Sequence, residues 1–236
     1  MTQLFDAQQS DQRTAAIAAA SQAIGQRELI VLPTDTVYGV GADAFSPQAV
    51  AVLLAAKGRS RQSPPPVLIG NMQVLDALAV DIPATGRQLA EAFWPGALTL
   101  IFNAQPSLSW DLGETHGTVA LRQPADELAQ QILQNTGPLA VSSANRHGQP
   151  AATTAHAAQE ALGASVSVYI HDGDRGAQQA STIVDCTVIP HRVLRSGAIS
   201  IEQLRQIVPD VLDLNDPEPP ASGATEASTA EDTSSS

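Results

Sequence analysis

Lysine occurs once in this chain. Lys57 stands in Ala56-Lys57-Gly58-Arg59-Ser60-Arg61, so three of the twelve Lys and Arg residues fall within five positions of a protein whose formal net charge is -12. Such a cluster has to hold against a repulsive background, and a small, highly charged anion such as a triphosphate is the partner that suits it. A structural reading stands beside that one. Ser46 and Pro47 look like the cap and first residue of a helix that Gly58 closes. Lys57 and Arg59 would then meet the negative end of the helix dipole, a role worth roughly 0.3 to 1 kcal/mol each. That explains two of the three charges and leaves Arg61 and the stiff loop Ser63-Pro64-Pro65-Pro66 unaccounted for.

Other chemistries lack their signatures. There is no G-x-S-x-G elbow, no H-E-x-x-H pair and no G-x-x-x-x-G-K-[ST] loop, which argues against a serine hydrolase, a zinc protease and an ordinary NTPase. The five histidines are dispersed at positions 116, 147, 156, 171 and 191, and the single Cys186, inside the apolar run Ile183 to Val188, reads as core. From Asn215 onward the chain carries five acids and no Lys or Arg, leaving 19 acids against 12 bases ahead of it. A general nucleic-acid binder shows the opposite balance. The amino terminus has no basic start or apolar signal segment, and the longest apolar run, Ala49 to Ala56, is too short to span a bilayer, so a cytoplasmic protein is expected.

Several short polar residues sit where strands begin or end: Thr34-Asp35-Thr36, Arg122, Ser142-Ser143 and Ser181-Thr182. Taken singly, each reads as a turn, a cap or an edge charge. The elements that would position them alternate between helical and extended patterns. Strands are expected over Leu29 to Leu32, Val37 to Ala44, Val67 to Ile69, Leu98 to Asn103, Thr118 to Arg122, Leu139 to Ser142, Val166 to His171, Thr182 to Val188 and Val193 to Arg195. Helices are expected over Arg13 to Ile24, Pro47 to Lys57, Gln73 to Ala79, Thr85 to Ala92, Asp126 to Thr136 and Thr154 to Leu162. The class is α/β: one domain over residues 10–212, a flexible start over 1–9, and a disordered acidic tail over 213–236.

Seven pieces occur in a fixed order: Pro33-Thr34-Asp35-Thr36-Val37-Tyr38-Gly39, Lys57-Gly58-Arg59, Trp94-Pro95-Gly96, Thr118-Val119-Ala120-Leu121-Arg122, Ser142-Ser143-Ala144-Asn145, Ser181-Thr182-Ile183-Val184-Asp185 and Arg195-Ser196-Gly197. Together they resemble the YrdC-like family of threonylcarbamoyl-AMP synthases, from about residue 10 to about residue 205. The resemblance implies a twisted mixed sheet flanked by helices around a large concave cavity. It also implies a reaction joining L-threonine, bicarbonate or CO2, and ATP into L-threonylcarbamoyl-AMP and pyrophosphate. The product would be handed to a tRNA threonylcarbamoyl transferase complex, with tRNA or double-stranded RNA as a further contact. Motif by motif, ATP contacts fall on Lys57, Arg59, Ser63, Thr118, Ser143 and Arg195, with Lys57 and Arg59 as the catalytic cations. Threonine contacts fall on Thr36, Arg122, Ser181 and the backbone near Val141. Mg2+ is expected only as the counterion of ATP, with no protein ligand assigned. Asp35 could orient neighbours or approach the metal, and Tyr38 and Trp94 could be core or cavity wall.

Three positions depart from the family's pattern. Leu68 stands where many members carry a histidine, Ser60 replaces a common proline, and Ala151 replaces a serine hydroxyl. Two rival functions use the same concave face: a structured-RNA-binding module, and a relative that makes a carbamoyl-adenylate from carbamoyl phosphate.

Overall fold

Short apolar runs become the strands of a single mixed sheet. The computed structural model describes residues 2–176 and 179–217. Its strands are β1 (Gln3–Asp6), β2 (Ile30–Leu32), β3 (Gly39–Asp43), β4 (Val67–Leu68), β5 (Ala79–Val80), β6 (Leu98–Ala104), β7 (Thr118–Arg122), β8 (Leu139–Ser143), β9 (Val168–His171), β10 (Thr182–Asp185) and β11 (Arg192–Arg195). The helices are α1 (Ser10–Gly25), α2 (Pro47–Lys57), α3 (Leu75–Leu78), α4 (Ala84–Phe93), α5 (Glu127–Thr136), α6 (Ala155–Leu162) and α7 (Ile201–Ile207). The strand order is β1-β9-β2-β3-β8-β4-β7-β6-β10-β11, with β5 paired to β6. Parallel pairs such as β6 with β10 mix with antiparallel pairs such as β6 with β7.

Side chains alternate between the two faces of a strand, and that alternation builds two cores. Ile30 and Leu32 in β2, and Leu139 and Val141 in β8, pack with Ala16, Ala20 and Ile24 of α1 and Leu128 and Ile132 of α5. Their neighbours Val31 and Ala140 point to the other face, into a larger core with Leu53 of α2, Leu89 of α4 and Leu204 of α7. Helix α2 starts as its sequence dictates: Ser46 Oγ accepts the Ala49 amide at 3.3 Å, Pro47 follows, and Gly58 ends it at φ 66°.

Two expected boundaries are corrected. The start of the chain is not loose, because β1 pairs in parallel with β9 from Gln3 against Val168 to Asp6 against His171, and Phe5 packs against the smaller core. The tail is held as far as Pro217: Arg192 Nη1 donates to the carbonyls of Asp213 (3.2 Å) and Asp216 (2.8 Å), and Arg205 Nη2 meets Asp216 Oδ2 at 2.7 Å. The rest of the expected tail, residues 218–236, lies outside the described residues. Helix α7, strand β5 and strand β1 are elements that the hydrophobic pattern did not announce.

Candidate active site

Strand ends and the loops beside them gather around a cavity of about 250 Å³ that opens to solvent. Arg122 is the last residue of β7 and is 6% exposed. Its guanidinium is fixed on three sides: Nε donates to Gly96 O (2.9 Å), Nη1 to Thr36 Oγ1 (3.0 Å) and Nη2 to Asp35 Oδ1 (2.7 Å). A guanidinium has five N–H donors, so one on each terminal nitrogen is left for a ligand, a fork that matches a carboxylate. Asp35 is Arg122's orienting partner and also accepts the Ala125 amide at 3.0 Å.

Thr36 is committed as well. Thr34 Oγ1 donates to Val37 O at 2.6 Å, so the 3.1 Å contact between the two threonine hydroxyls must be Thr36 donating to Thr34. Thr36 Oγ1 therefore has no proton to offer a substrate; it holds Arg122 and keeps one lone pair. The glycine two positions before Gly41 has its own reason: a Cβ at Gly39 would come within 2.6 Å of Val141 Cγ1, a side chain that forms the cavity wall.

Arg195 closes β11 and folds back on Ser181. Its Nε and Nη2 donate to Ser181 O at 3.0 and 2.7 Å, and Nη2 also reaches Ser181 Oγ at 2.9 Å. The Arg195-Ser196-Gly197 turn lies backbone to backbone against this segment, since a Cβ on Gly197 would sit 2.3 Å from Ala180 O. Ser181 Oγ in turn lies 2.8 Å from Thr99 Oγ1 of β6. Burial first, then the nearby Arg122 and Arg59, lower the Arg195 pKa. Three guanidiniums thus share one cavity, and no Asp or Glu is among its described lining residues. Arg59 adds a buried Nε with no hydrogen-bond partner among the described residues.

Of the residues singled out in the sequence, the fold brings Thr36, Arg59, Arg122, Val141, Ser143, Ser181 and Arg195 to this cavity. Lys57, Ser63 and Thr118 are not among its lining. Lys57 is 1% exposed, and its ammonium is taken up by protein oxygens: the carbonyls of Ser143 and Asn145, and Asn145 Oδ1 at 3.0 Å. Its three protons are therefore spent on the Ser143–Asn145 segment rather than aimed at a phosphate. Burial, then the charge of Arg59, lowers its pKa to about 8. Ser63 is exposed on the proline loop. Thr118 donates to Thr115 O at 2.8 Å, four residues from Arg122 along β7, which is about 13 Å at strand rise. Arg61 has a structural partner, Asp111, at 2.7 Å. Tyr38 and Trp94 are core: the phenol donates to Gly173 O and the indole to Leu98 O.

Sequence reasoning missed Thr99 and Thr34 as lining residues. Thr34 was within a quoted motif; Thr99 had no signal beyond being a hydroxyl inside an apolar strand. Leu68 and Ala151 both line the cavity, so two of the departures from the family pattern fall on its wall.

A basic cavity at strand ends, built to position and neutralise anions and carrying no nucleophile with a base beside it, defines a ligase-like or group-transfer site rather than a covalent hydrolase. The Sua5/YciO/YrdC family profile, described as Telomere recombination, matches residues 22–197, and the chain belongs to that family. Over 208 residues it is 48% identical to a Mycobacterium leprae relative provisionally named threonylcarbamoyl-AMP synthase, covering 88% of this chain and 94% of that one. The threonylcarbamoyl-AMP synthase of Pyrococcus abyssi is 33% identical over 196 residues, 83% of this chain and 58% of that longer one. Among solved structures, P. abyssi Sua5 complexed with L-threonine superposes with a TM-score of 0.81 at 32% identity, over 85% of this chain and 59% of that one. Escherichia coli YciO shares the fold, with a TM-score of 0.75 at 21% identity over 86% of this chain and all of that one.

Proposed function

We propose that this protein is an L-threonylcarbamoyladenylate synthase, a nucleotidyltransferase that combines L-threonine, bicarbonate or CO2, and ATP. The threonine amine attacks the carbon of bicarbonate and water leaves, giving a carbamate. An oxygen of that carbamate attacks the α-phosphorus of ATP, the bond to the β-phosphate oxygen breaks, and pyrophosphate departs. Neither step needs a protein nucleophile; both need anions held together against their mutual repulsion. The observation that supports this reading best is the placement of Arg59, Arg122 and Arg195 around one cavity with no acid in its described lining.

In this reading Arg122 holds the amino-acid carboxylate on its two remaining N–H groups, with Asp35 and Thr36 fixing its plane. Arg59, whose buried Nε lacks a partner, takes phosphate oxygens. Lys57 acts on ATP indirectly, by setting the Ser143–Asn145 backbone that forms part of the wall. Among the described residues no three His, Cys, Asp or Glu side chains gather to hold a metal ion. Mg2+ is assigned to the substrate, arriving as MgATP on phosphate oxygens.

The adenylate is a mixed anhydride and is consumed by transfer of its threonylcarbamoyl group to a tRNA adenosine, which makes hand-over to a tRNA threonylcarbamoyl transferase complex the natural next step. Direct RNA contact has less support, given the acidic balance of the chain. No described helix is long and apolar enough to cross a membrane. The deciding experiment measures pyrophosphate release from MgATP and bicarbonate with L-threonine present, replaced by L-valine, or omitted. Release that depends on threonine is expected. Equal release without an amino acid would sink the reading, and release driven by carbamoyl phosphate would favour the carbamoyl-adenylate relative.

A further inference from the structure

Behind the Arg122 clamp, outside the cavity, a second arginine sits between two carboxylates. Arg175 lies in the loop that leaves β9, and its side chain is 18% exposed. Its Nη2 meets Asp126 Oδ2 at 2.8 Å and Asp172 Oδ2 at 2.9 Å, and its guanidinium carbon lies 5.9 Å from the centre of the Tyr38 ring, within cation–π range. Its own amide donates to Thr153 O at 2.9 Å. The reaction described above uses none of these contacts, yet each of them leads to the cavity wall. Asp126 caps α5 by accepting the Ala129 amide at 2.8 Å. The residue before it, Ala125, donates its amide to Asp35 Oδ1, the same oxygen that holds Arg122 Nη2. Tyr38 follows Thr36 by two positions, and its hydroxyl accepts the Asp172 amide at 2.9 Å and donates to Gly173 O at 2.6 Å. Thr153 follows Ala152, whose carbonyl accepts the Tyr38 amide at 3.1 Å. The loop from Asp172 to Arg175 therefore grips, from two sides, the segments that carry Asp35 and Thr36.

The charges explain why an arginine is needed there. Burial raises the Asp126 pKa; the Ala129 amide and Arg175 oppose that rise, while the charges of Asp172 and Asp35 add to it. Without Arg175 three carboxylates would face one another with a single guanidinium, Arg122, among them. Half-buried like charges relieve that repulsion by taking a proton or by moving apart. Movement of Asp126 carries Ala125 with it, and with Ala125 the oxygen that sets the plane of Arg122. We propose that Arg175 is a positioning residue for the amino-acid subsite: it pairs Asp126 and Asp172 and so keeps Asp35 where it orients Arg122. The inference rests on the synthase reading above. Arg175 is not among the residues that line the cavity, so it acts through Asp35 and Tyr38 and not on substrate. A fork displaced by a fraction of an ångström holds a carboxylate poorly, and that loss falls on the amino acid and spares ATP.

The test follows steady-state pyrophosphate release while threonine and MgATP are titrated separately. Arg175→Met should raise the threonine KM about tenfold, with kcat and the ATP KM within about twofold of the unaltered protein. Arg175→Lys keeps a cation between the two carboxylates and should bring the threonine KM back to within about threefold. A role in fold stability alone moves a different quantity: fewer folded molecules lower the apparent kcat and leave KM untouched. A fall in kcat at unchanged threonine KM would therefore overturn the proposal, as would equal rises in both KM values or a lysine variant no better than the methionine one. Removing Arg175 leaves acids unpaired, so a second variant carries the test if Arg175→Met does not fold. Asp126→Asn keeps a good helix cap and gives up the ion pair; a threonine KM raised about threefold or more is expected, and an unchanged one would overturn the proposal. Pyrophosphate release that ignores threonine in the unaltered protein would end the synthase reading and this proposal with it, an outcome distinct from all of these because no variant is needed to see it.

Discussion

Two regions of the cavity wall are built differently. At the Arg122 end every polar group has a protein partner: the guanidinium rests on Asp35, Thr36 and Gly96, and Thr36 rests on Thr34. Elsewhere on the wall Arg59 has an unpartnered Nε, and Arg195, tied to Ser181 O through Nε and Nη2, has Nη1 unbonded among the described residues. The first region is prepared before any ligand arrives, and the second acquires its full set of partners when anions bind. Preorganisation lowers the ordering cost of binding and sharpens selection. Charges left without partners repel one another and wait for a ligand to offset that cost. The amino-acid end should therefore be sensitive to geometry, and the phosphate end to charge.

Arg122→Lys is the hardest blow to this contrast. The charge is kept, but an ammonium cannot reach Gly96, Thr36 and Asp35 while presenting a planar fork. A loss of about 100-fold in kcat/KM for threonine is expected, with the ATP requirement changed by about threefold or less. Comparable damage to both substrates would show that the two ends are not separable. Arg59→Ala comes next. Charge-assisted contacts are worth about 1.5 to 3 kcal/mol, so ATP efficiency should fall about tenfold or more while threonine KM holds, and Arg59→Lys should recover much of the loss because charge matters more than shape there. Failure of the lysine variant to recover would place geometry at both ends.

Lys57 joins the two regions from behind. Lys57→Met leaves the carbonyls of Ser143 and Asn145 and Asn145 Oδ1 without their donor, a loss of about 1 to 3 kcal/mol. For a domain of this size that lowers the melting temperature by roughly 2 to 4 °C per kcal/mol. The pKa of about 8, against 10.5 in the unfolded chain, adds a pH signature. Below about 8 both states carry the proton; between about 8 and 10.5 only the unfolded chain does, so this group's contribution to stability rises with pH across that window. Activity should move the other way, falling above about pH 8 as the ammonium that organises the wall loses its charge. A Lys57→Met protein with unchanged melting temperature would return Lys57 to the role of a helix-terminal charge.

Much of this arrangement was readable in the chain, and what escaped did so for identifiable reasons. The central strands and amphipathic helices announced themselves by periodicity because each buries one face or both. β1 escaped because Gln3-Leu4-Phe5-Asp6 is half polar at the edge of a sheet, its partner 165 residues away. α7 is short, yet Ser200 and Gln203 form a capping box that the sequence displays openly. At the site, the ordered set of motifs, and not any one residue type, pointed to Arg122, Ser181 and Arg195, and all three line the cavity. Lys57 shows what a local stretch leaves out: beside two arginines it resembles a phosphate cradle, and nothing nearby in sequence says that backbone carbonyls 86 and 88 positions away will accept its protons.

The smallest effect is expected at Thr36, and it separates positioning from recognition. Had Thr36 been a direct reader of the substrate hydroxyl, replacing it with valine would hurt threonine and spare an analogue lacking that hydroxyl. The hydrogen bonds argue otherwise, because its proton goes to Thr34 and its oxygen supports Arg122. Thr36→Val removes one neutral-to-cation bond from a guanidinium that keeps Asp35 and Gly96, so about a fivefold rise in threonine KM is expected, near 1 kcal/mol. Arg122 reads a carboxylate that threonine and valine share, so the weak use of valine should decline by the same factor and the ratio between the two amino acids should stay constant. That ratio is the measurement: pyrophosphate release with each amino acid, in the wild-type and Thr36→Val proteins. A ratio that falls toward one would mean that the remaining lone pair of Thr36 accepts the substrate's hydroxyl proton, and the rigid end of the cavity would then be a recognition surface as well as a clamp.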